Sequence, residues 1–336
     1  MKEVYPGIFA IKEEGARSTY KPTQNIHIIA GNNGLIYDAG YGNKKTVKYL
    51  VTKINKLKTL FKERNKEFNL SRLLISHAHP DHFSGAIKLR KYLGIKIILT
   101  EKTAKKLSDK KYFSQNFESS NEKGTKKKKS WFKRIKNFFL IKIGYFFFKK
   151  VYGLKLIKNP DIIIPENCGI LINGEKWKIF PSPGHSSDHI SLYNEKKGVL
   201  LAGDNVLSSI TTWLGPPDSN LGDYINSVKE ISNLPNLKLI LGAHGSPIKN
   251  PRQRLNEILE HRKKRTKQIE ELVIKSEGNG ITSTEIIKEF YPSESRMKHR
   301  MAKGYIVLTL QYLEKNKKIY SKIDKKNKIK YFPIKG

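Results

Sequence analysis

The sequence predicts a mixed domain of helices and β-sheet, followed by a small helical region that ends in a two-stranded ribbon. Three observations predict it. Short runs of β-branched and aromatic residues, punctuated by Gly, Asn and Pro, alternate with segments whose apolar residues recur at helical spacing. The strand-like run "SRLLIS" leads into the histidine-rich loop "SHAHPDHFSG", and a ligand-rich loop at a strand's carboxyl end is the usual seat of an α/β active site. From about Pro251 the strands give way to three helical patterns and a ribbon.

The elements follow in order. "GIFAIKE", "NIHIIAG" and "GLIYDAG" read as strands, the last two joined by a hairpin turning at Asn33-Gly34, a pair suited to a type I′ turn. "KKTVKYLVTKINKLKTLFKE" places Val47, Leu50, Val51, Ile54, Leu57 and Leu60 on one helical stripe. After "SRLLIS" and the histidine loop, "HFSGAIKLRKYLG" reads as a helix stopped by Gly94, and "IKIILT" as a strand. Residues 101–158 break the rhythm and read as an insertion: the polar linker "SSNEKGTKKKKS", then the aromatic and basic "WFKRIKNFFLIKIGYFFFKKVYGLKL". Strands resume in "PDIIIPE", in "CGILINGEKWKIFPSPGHSSDHISLY" and in "KGVLLAGDNVL", with hairpin turns expected at Asn173-Gly174 and Lys197-Gly198. A helix through Tyr224, Val228, Ile231 and Leu234 precedes the last buried strand, in "LKLILGAHGSPI". The region 251–336 adds a helix opened by Pro251, a short helix capped in "TSTEIIKEFY", a third helix interrupted at Gly304, and a ribbon turning at 325–327. Helix, helix, helix, ribbon is the outline of a winged helix. The expected division is therefore 1–250 and 251–336.

Composition bounds the function. The 336 residues carry 65 Lys and Arg against 30 Asp and Glu, a formal charge of +35. Such charge suits polyanions, but only 11 of the 65 are Arg, the residue whose fork suits phosphate. A general drift toward Lys explains the excess equally well. The single cysteine, Cys168, excludes disulfides within the chain and a thiolate metal cluster. The start lacks the apolar stretch of a signal peptide, and no uncharged apolar window reaches 18 residues, so a cytoplasmic location is expected. The run from Phe138 to Phe148, broken by Lys142, is too short to span a bilayer. The stretch 131–156 could pack over the domain, lie on an anionic membrane, meet nucleic acid or cover the site.

The chemistry concentrates in His77, His79, Asp81 and His82, four metal-ligating side chains within six residues. Divalent transition metals take imidazoles and carboxylates converging from several loops. His77 and His79 stand two apart on an extended segment and should point the same way. Three further residues, His185, Asp204 and His244, each end an expected strand beside a glycine, which permits close backbone approach.

"SHAHPDH", "PSPGHSS", "LLAGDN" and "LGAHG", in that order, resemble the metal motifs of the metallo-β-lactamase superfamily. With "SSDHISLY" and the C-terminal outline they resemble its lactamase-beta-like branch, which includes a mitochondrial single-strand endoribonuclease and many bacterial hydrolases. The resemblance covers about 1–100 and 160–336, leaving 101–158 outside it. It implies an α+β four-layer αββα metallo-β-lactamase fold followed by a small winged-helix domain. It also implies that His77, His79 and His185 hold one ion, that Asp81, His82 and His244 hold a second, and that Asp204 bridges two divalent ions, zinc first among candidates. A hydroxide between the ions would then attack a carbonyl carbon or a phosphorus. Asp81 would hold or pass the proton. His189, four residues after His185, is a candidate catalytic or supporting group, and Asn205 and Asp188 are candidates to orient a ligand.

Three functions are expected to compete: hydrolysis of a small ester or thioester, cleavage of single-stranded RNA, and non-catalytic binding to membrane or nucleic acid. Arg252, Arg254, Arg262 and Arg265, on or near one helix, favour RNA if phosphates meet them there. The complete ligand set favours catalysis. The sequence does not indicate an oligomeric state.

Overall fold

The computed structural model describes residues 1–13, 22–109, 149–215, 217–293 and 296–334. A seven-stranded sheet follows chain order: β1 (Lys2–Tyr5), β2 (Ile8–Lys12), β3 (Asn25–Ile29), β4 (Gly34–Tyr37), β5 (Leu70–Leu74), β6 (Lys96–Thr100) and β7 (Ile162–Ile164). β1 to β4 pair antiparallel and β4 to β7 parallel. Parallel neighbours need a crossover. The helices α1 (Lys44–Glu63), α2 (Pro80–Phe83), α3 (Ala86–Leu93) and α4 (Glu101–Leu107) occupy those crossovers. The second sheet has the order β12-β11-β10-β9-β8, from β8 (Cys168–Ile172), β9 (Glu175–Pro181), β10 (Ile190–Asn194), β11 (Val199–Gly203) and β12 (Leu239–Gly242). Only its β11–β12 pair is parallel, and α5 (Leu221–Ser232) makes that crossover.

Period-two alternation builds the layers. On β4, Leu35 and Tyr37 face the other sheet while Ile36 faces helix. On β11, Val199 and Leu201 face inward while Leu200 and Ala202 face the outer helices. α1 buries Val47, Leu50, Ile54, Leu57 and Phe61 over Ile26, Ile28 and Ile36. Val51 and Leu60, expected on that stripe, lie at its margin and are half-buried. α5 closes the far side with Leu221, Tyr224, Val228 and Ile231. The result is helix, sheet, sheet, helix. Each fully buried Leu or Ile contributes about 1.5–3 kcal/mol.

The first hairpin forms, but Gly34 is already in β4, so the turn lies at 31–33. The Gly34 amide donates to Asn69 O at 2.9 Å, drawing it into the parallel ladder with β5. The turn at Asn173-Gly174 has φ of 51° and 76°, as a type I′ turn requires. Gly94 ends α3 with φ 67°.

Of the stretch 101–158, the two ends belong to the fold: Leu107, Leu154, Leu156 and Ile157 are buried in the first helix–sheet core. Most of the stretch set apart at 131–156 lies outside the described residues. Among the described residues no helix is long and apolar enough to cross a membrane.

The C-terminal region contains α6 (Pro251–Lys275), α7 (Ser283–Phe290), α8 (Arg296–Lys315) and the ribbon β13 (Ile319–Ile323) with β14 (Ile329–Pro333). A capping box between Thr282 and Glu285 opens α7. Gly304 does not interrupt α8. A mid-helix glycine costs about 1 kcal/mol, and burial of Ile306, Leu308, Leu310 and Leu313 just beyond it offsets that cost. The boundary expected at 250/251 falls at the start of α6, a helix that two cores share. Leu255 and Ile258 pack on the second sheet's helix layer, whereas Ile269 and Val273 pack with α7, α8 and the ribbon.

Candidate metal centre

Both sheets deliver side chains to one place. His77 and His79 follow β5. His79 is extended and precedes Pro80, which opens α2 as its first residue and carries Asp81 and His82 into the helix. His185 follows β9, Asp204 follows β11, and His244 follows β12. All seven expected ligands converge, in two groups: His77, His79 and His185, and Asp81, His82, Asp204 and His244. Within each group the ligand atoms lie within 4.8 Å of one another. Asp204 stands between the groups. Its Oδ2 is 3.5 Å from His185 Nε2, and its Oδ1 is 3.5 Å from His82 Nε2 and 3.4 Å from His244 Nε2.

The hydrogen bonds on the far ring nitrogens decide which nitrogen faces inward. His185 Nδ1 donates to Trp213 O at 2.8 Å, and His244 Nδ1 to Thr23 O at 2.7 Å. His77 Nδ1 is 2.9 Å from Ser76 Oγ, and His82 Nδ1 is 2.8 Å from Asp38 Oδ2. These four therefore present Nε2. His79 instead presents Nδ1, 2.9 Å from His185 Nε2.

Charge at the site divides along the same line. Burial, reinforced by the neighbouring imidazoles, pushes His77 well down and His79 to about 4, so both are neutral, the form that ligates. Burial alone would also lower His244, but Asp204 and Asp81 hold it up at about 9. His82 is likewise raised, against its burial, by Asp38, Asp204 and Asp81. The acidic group thus favours positive charge. His77 Nε2, His82 Nε2 and Asp204 Oδ1 are buried without a hydrogen-bond partner. A buried polar atom left without a partner costs about 1–3 kcal/mol; His77 Nε2 faces the first group, while His82 Nε2 and Asp204 Oδ1 face each other at 3.5 Å in the second, an arrangement that fits cations in both. Imidazole and carboxylate donors suit zinc and its neighbours in the first transition row.

His189 and Asn205, expected among the catalytic candidates, stand behind the site rather than in it. His189 is 1 % exposed; its Nε2 accepts the Asp204 amide at 3.1 Å, so its Nδ1 donates to Ser182 Oγ at 2.9 Å. Asn205 is fully buried and donates to Ser182 O. Both hold the strand end that presents Asp204. His189 and Asn205 thus stand where a supporting and an orienting group would, each bonded to Ser182 behind Asp204.

Asp38 went unread in the sequence, where "GLIYDAG" looks like continuous strand. It sits one residue past β4 with φ 68° and is 1 % exposed. It accepts from Ser76 N at 2.8 Å, from Ser76 Oγ at 3.0 Å and from His82. An acidic residue between a strand and two small residues was the available signal. Lys106 and Asp218 were also unread; they bond Asp188 and the His185 loop.

The arginines expected to meet phosphate are mostly committed inside the protein. Arg262 is 4 % exposed, lies between the Tyr224 and Tyr305 rings and donates to Thr212 O. Arg254 donates to Leu207 O and Ile210 O. Arg265 donates to Tyr291 Oη at 2.6 Å. Arg252 remains exposed.

Gly203 shows why a ligand's neighbour is glycine. Its φ is 50°, and a Cβ there would lie 2.5 Å from His189 Nε2. Gly203→Ala should displace the imidazole holding the Asp204 amide, costing about 1–3 kcal/mol and lowering bound metal. Urea denaturation and metal analysis check this; unchanged values for both would refute it.

The sequence from 21 to 244 matches the profile of the metallo-beta-lactamase superfamily. A "Beta-lactamase-like protein 2 homolog" of Caenorhabditis elegans is 27 % identical over 170 residues, 49 % of this chain and 55 % of that protein. The "Probable metallo-hydrolase YqjP" of Bacillus subtilis is 21 % identical over 291 residues, 80 % of each. Apart from that longer match, the chain spans about half the length of the curated relatives it matches, or less. Among solved structures, a beta-lactamase domain protein from Burkholderia ambifaria superposes with a TM-score of 0.76 at 17 % identity, over 99 % of this chain and 93 % of its own. A metallo-beta-lactamase family protein from Thermus thermophilus gives 0.71 at 19 % identity, over 99 % and 100 %. These likenesses extend to the fold.

Proposed function

The chain belongs to the metallo-beta-lactamase superfamily, and on that premise we propose that it is a hydrolase of small esters or thioesters that works with two divalent ions, zinc by preference. The observation that carries this reading is Asp204, whose two oxygens face the two ligand groups separately. Ions held there would supply the Lewis-acid charge that makes water nucleophilic near neutral pH and offsets charge developing on the substrate's oxygen. His77, His79 and His185 would hold the first ion and Asp81, His82 and His244 the second, with Asp204 placed to serve both. Asp81 also accepts the proton released from water. Burial works against its ionisation, but in the ion-free site His82 and His244 outweigh burial and lower its carboxyl; a bound ion would take over that role, since imidazoles that ligate are neutral. His189 and Asn205 act through Asp204, as positioning residues.

Small esters are preferred over RNA because three of the four arginines that would grip phosphates are spent internally. RNA cleavage is the second reading, favoured by exposed lysines of α6 such as Lys263 and Lys267, at 78 % and 77 % exposure. One panel decides: p-nitrophenyl esters, S-lactoylglutathione and labelled single-stranded RNA, each with parent, chelator-treated parent and Asp81→Ala. We expect ester or thioester turnover in the parent, its loss on chelation, its return with zinc, and little in Asp81→Ala. A parent that purifies and reconstitutes without stoichiometric metal would sink the reading. RNA cleavage that survives in Asp81→Ala identifies a contaminating nuclease.

A further inference from the structure

A cluster of charge lies beside the first ligand group and takes no part in it. Lys106, on α4, is 13 % exposed, and its Nζ is 2.7 Å from Asp188 Oδ1 and 2.7 Å from Asp218 Oδ1. It also donates to Ser186 Oγ at 3.1 Å. Asp188 is fully buried in its side chain and joins three elements. Its Oδ2 accepts the Ala78 amide at 2.9 Å, and Ala78 stands between His77 and His79. The same oxygen accepts from Thr103 Oγ1 of α4 at 2.8 Å, and Ser186, next to His185, donates to Oδ1. Asp218 accepts from Ser187 Oγ at 2.7 Å and faces Ser186 Oγ at 2.6 Å. One ammonium thus holds two carboxylates, and those carboxylates hold the two loops that carry His77, His79 and His185.

We propose that Lys106 is a positioning residue that sets the first metal group, by clamping Asp188 and Asp218 so that the His77–His79 loop and the His185 loop keep their spacing. This rests on the two-ion reading above. The physical argument is charge balance. Lys106, Asp188 and Asp218 sum to −1, and the hydroxyl of Ser186 has one proton for two carboxylates. Without the ammonium, two like charges face each other across Ser186 in a site of low dielectric, and they separate. Separation carries Asp188 away from the Ala78 amide and Ser186 away from its place beside His185. The second group has no bond to this cluster, since His82 and His244 are oriented by Asp38 and Thr23.

The test is stepwise cobalt(II) titration of the metal-stripped full chain, followed by visible absorption, with Lys106→Met made in the parent and in His79→Ala. Loss of a group that orients ligands costs about 10–100-fold in metal affinity. We expect that weakening for one ion in the parent background and none in His79→Ala, where the first group is already broken. A merely structural lysine would instead weaken both backgrounds alike. Should Lys106→Met not fold, Lys106→Met/Asp218→Asn restores the sum of −1 and carries the test, with a smaller weakening of the same ion. Equal weakening in both backgrounds, or parental affinity in the foldable variant, overturns the proposal. A parent that binds no cobalt at any concentration sinks the two-ion reading as well; a parent that binds two ions while the variants match it sinks this inference alone.

Discussion

Asp204→Ala should, on the two-ion reading proposed above, lower kcat/KM by about a thousandfold for the parent's substrate, because several kcal/mol of charge stabilisation would depend on the ions and each 1.36 kcal/mol is a factor of ten. No other residue among the seven faces both groups. Its Oδ1 lies 3.4–3.5 Å from His244 and His82, and its Oδ2 3.5 Å from His185. Truncation removes a donor from each group and one of the two carboxylates that offset two divalent charges. Metal content should fall from about two ions per chain to one or fewer. Emission spectroscopy of the purified variant, read with steady-state kinetics, gives both numbers. A variant that keeps both ions and parental turnover would show that the bridge is not needed.

Asp38→Asn should fold, yet bind the second ion about 10–100-fold more weakly. Asparagine tolerates the φ of 68° at this position and matches the shape of aspartate. It cannot match its acceptors. Asp38 takes three donors, from Ser76 N, Ser76 Oγ and His82 Nδ1. An amide offers one oxygen, and its NH2 group turned toward His82 drives the ring to its other tautomer, whose proton sits on the inward Nε2. That nitrogen then cannot ligate. Asp38→Ala is harsher: three buried donors lose their acceptor at about 1–3 kcal/mol each, which approaches the whole stability of a typical domain. Calorimetric zinc titration of Asp38→Asn checks the first expectation and urea denaturation of Asp38→Ala the second. Parental zinc affinity in Asp38→Asn would remove Asp38 from the site's support.

Local signals were legible where the cause is local. The stripe of Val47, Leu50, Ile54 and Leu57 reads as one buried face, and α1 buries it. Asn173-Gly174 and Gly94 mark turns because only residues at ease with positive φ fit there. The Gly304 expectation failed because helix propensity is weak beside the burial of Ile306, Leu308, Leu310 and Leu313 just beyond it.

For the site, residue order alone names the seven candidate ligands and the order in which they come. Those residues are short-range features: a tight "HAHPDH" run, and three ligands each beside a glycine after a strand. What stands behind them emerges only when the chain is folded. Asp38 meets His82 across 44 residues, and Lys106 meets Asp218 across 112. No periodicity or spacing links such pairs, because the sheets, not the intervening chain, bring them together. The same holds in reverse for Arg262, which reads as a free cation in sequence but is buried between two aromatic rings once α5, α6 and α8 pack. The choice of ligand is a matter of side-chain chemistry, written residue by residue. The orientation and charge of each ligand are matters of packing, and exist only in the folded chain.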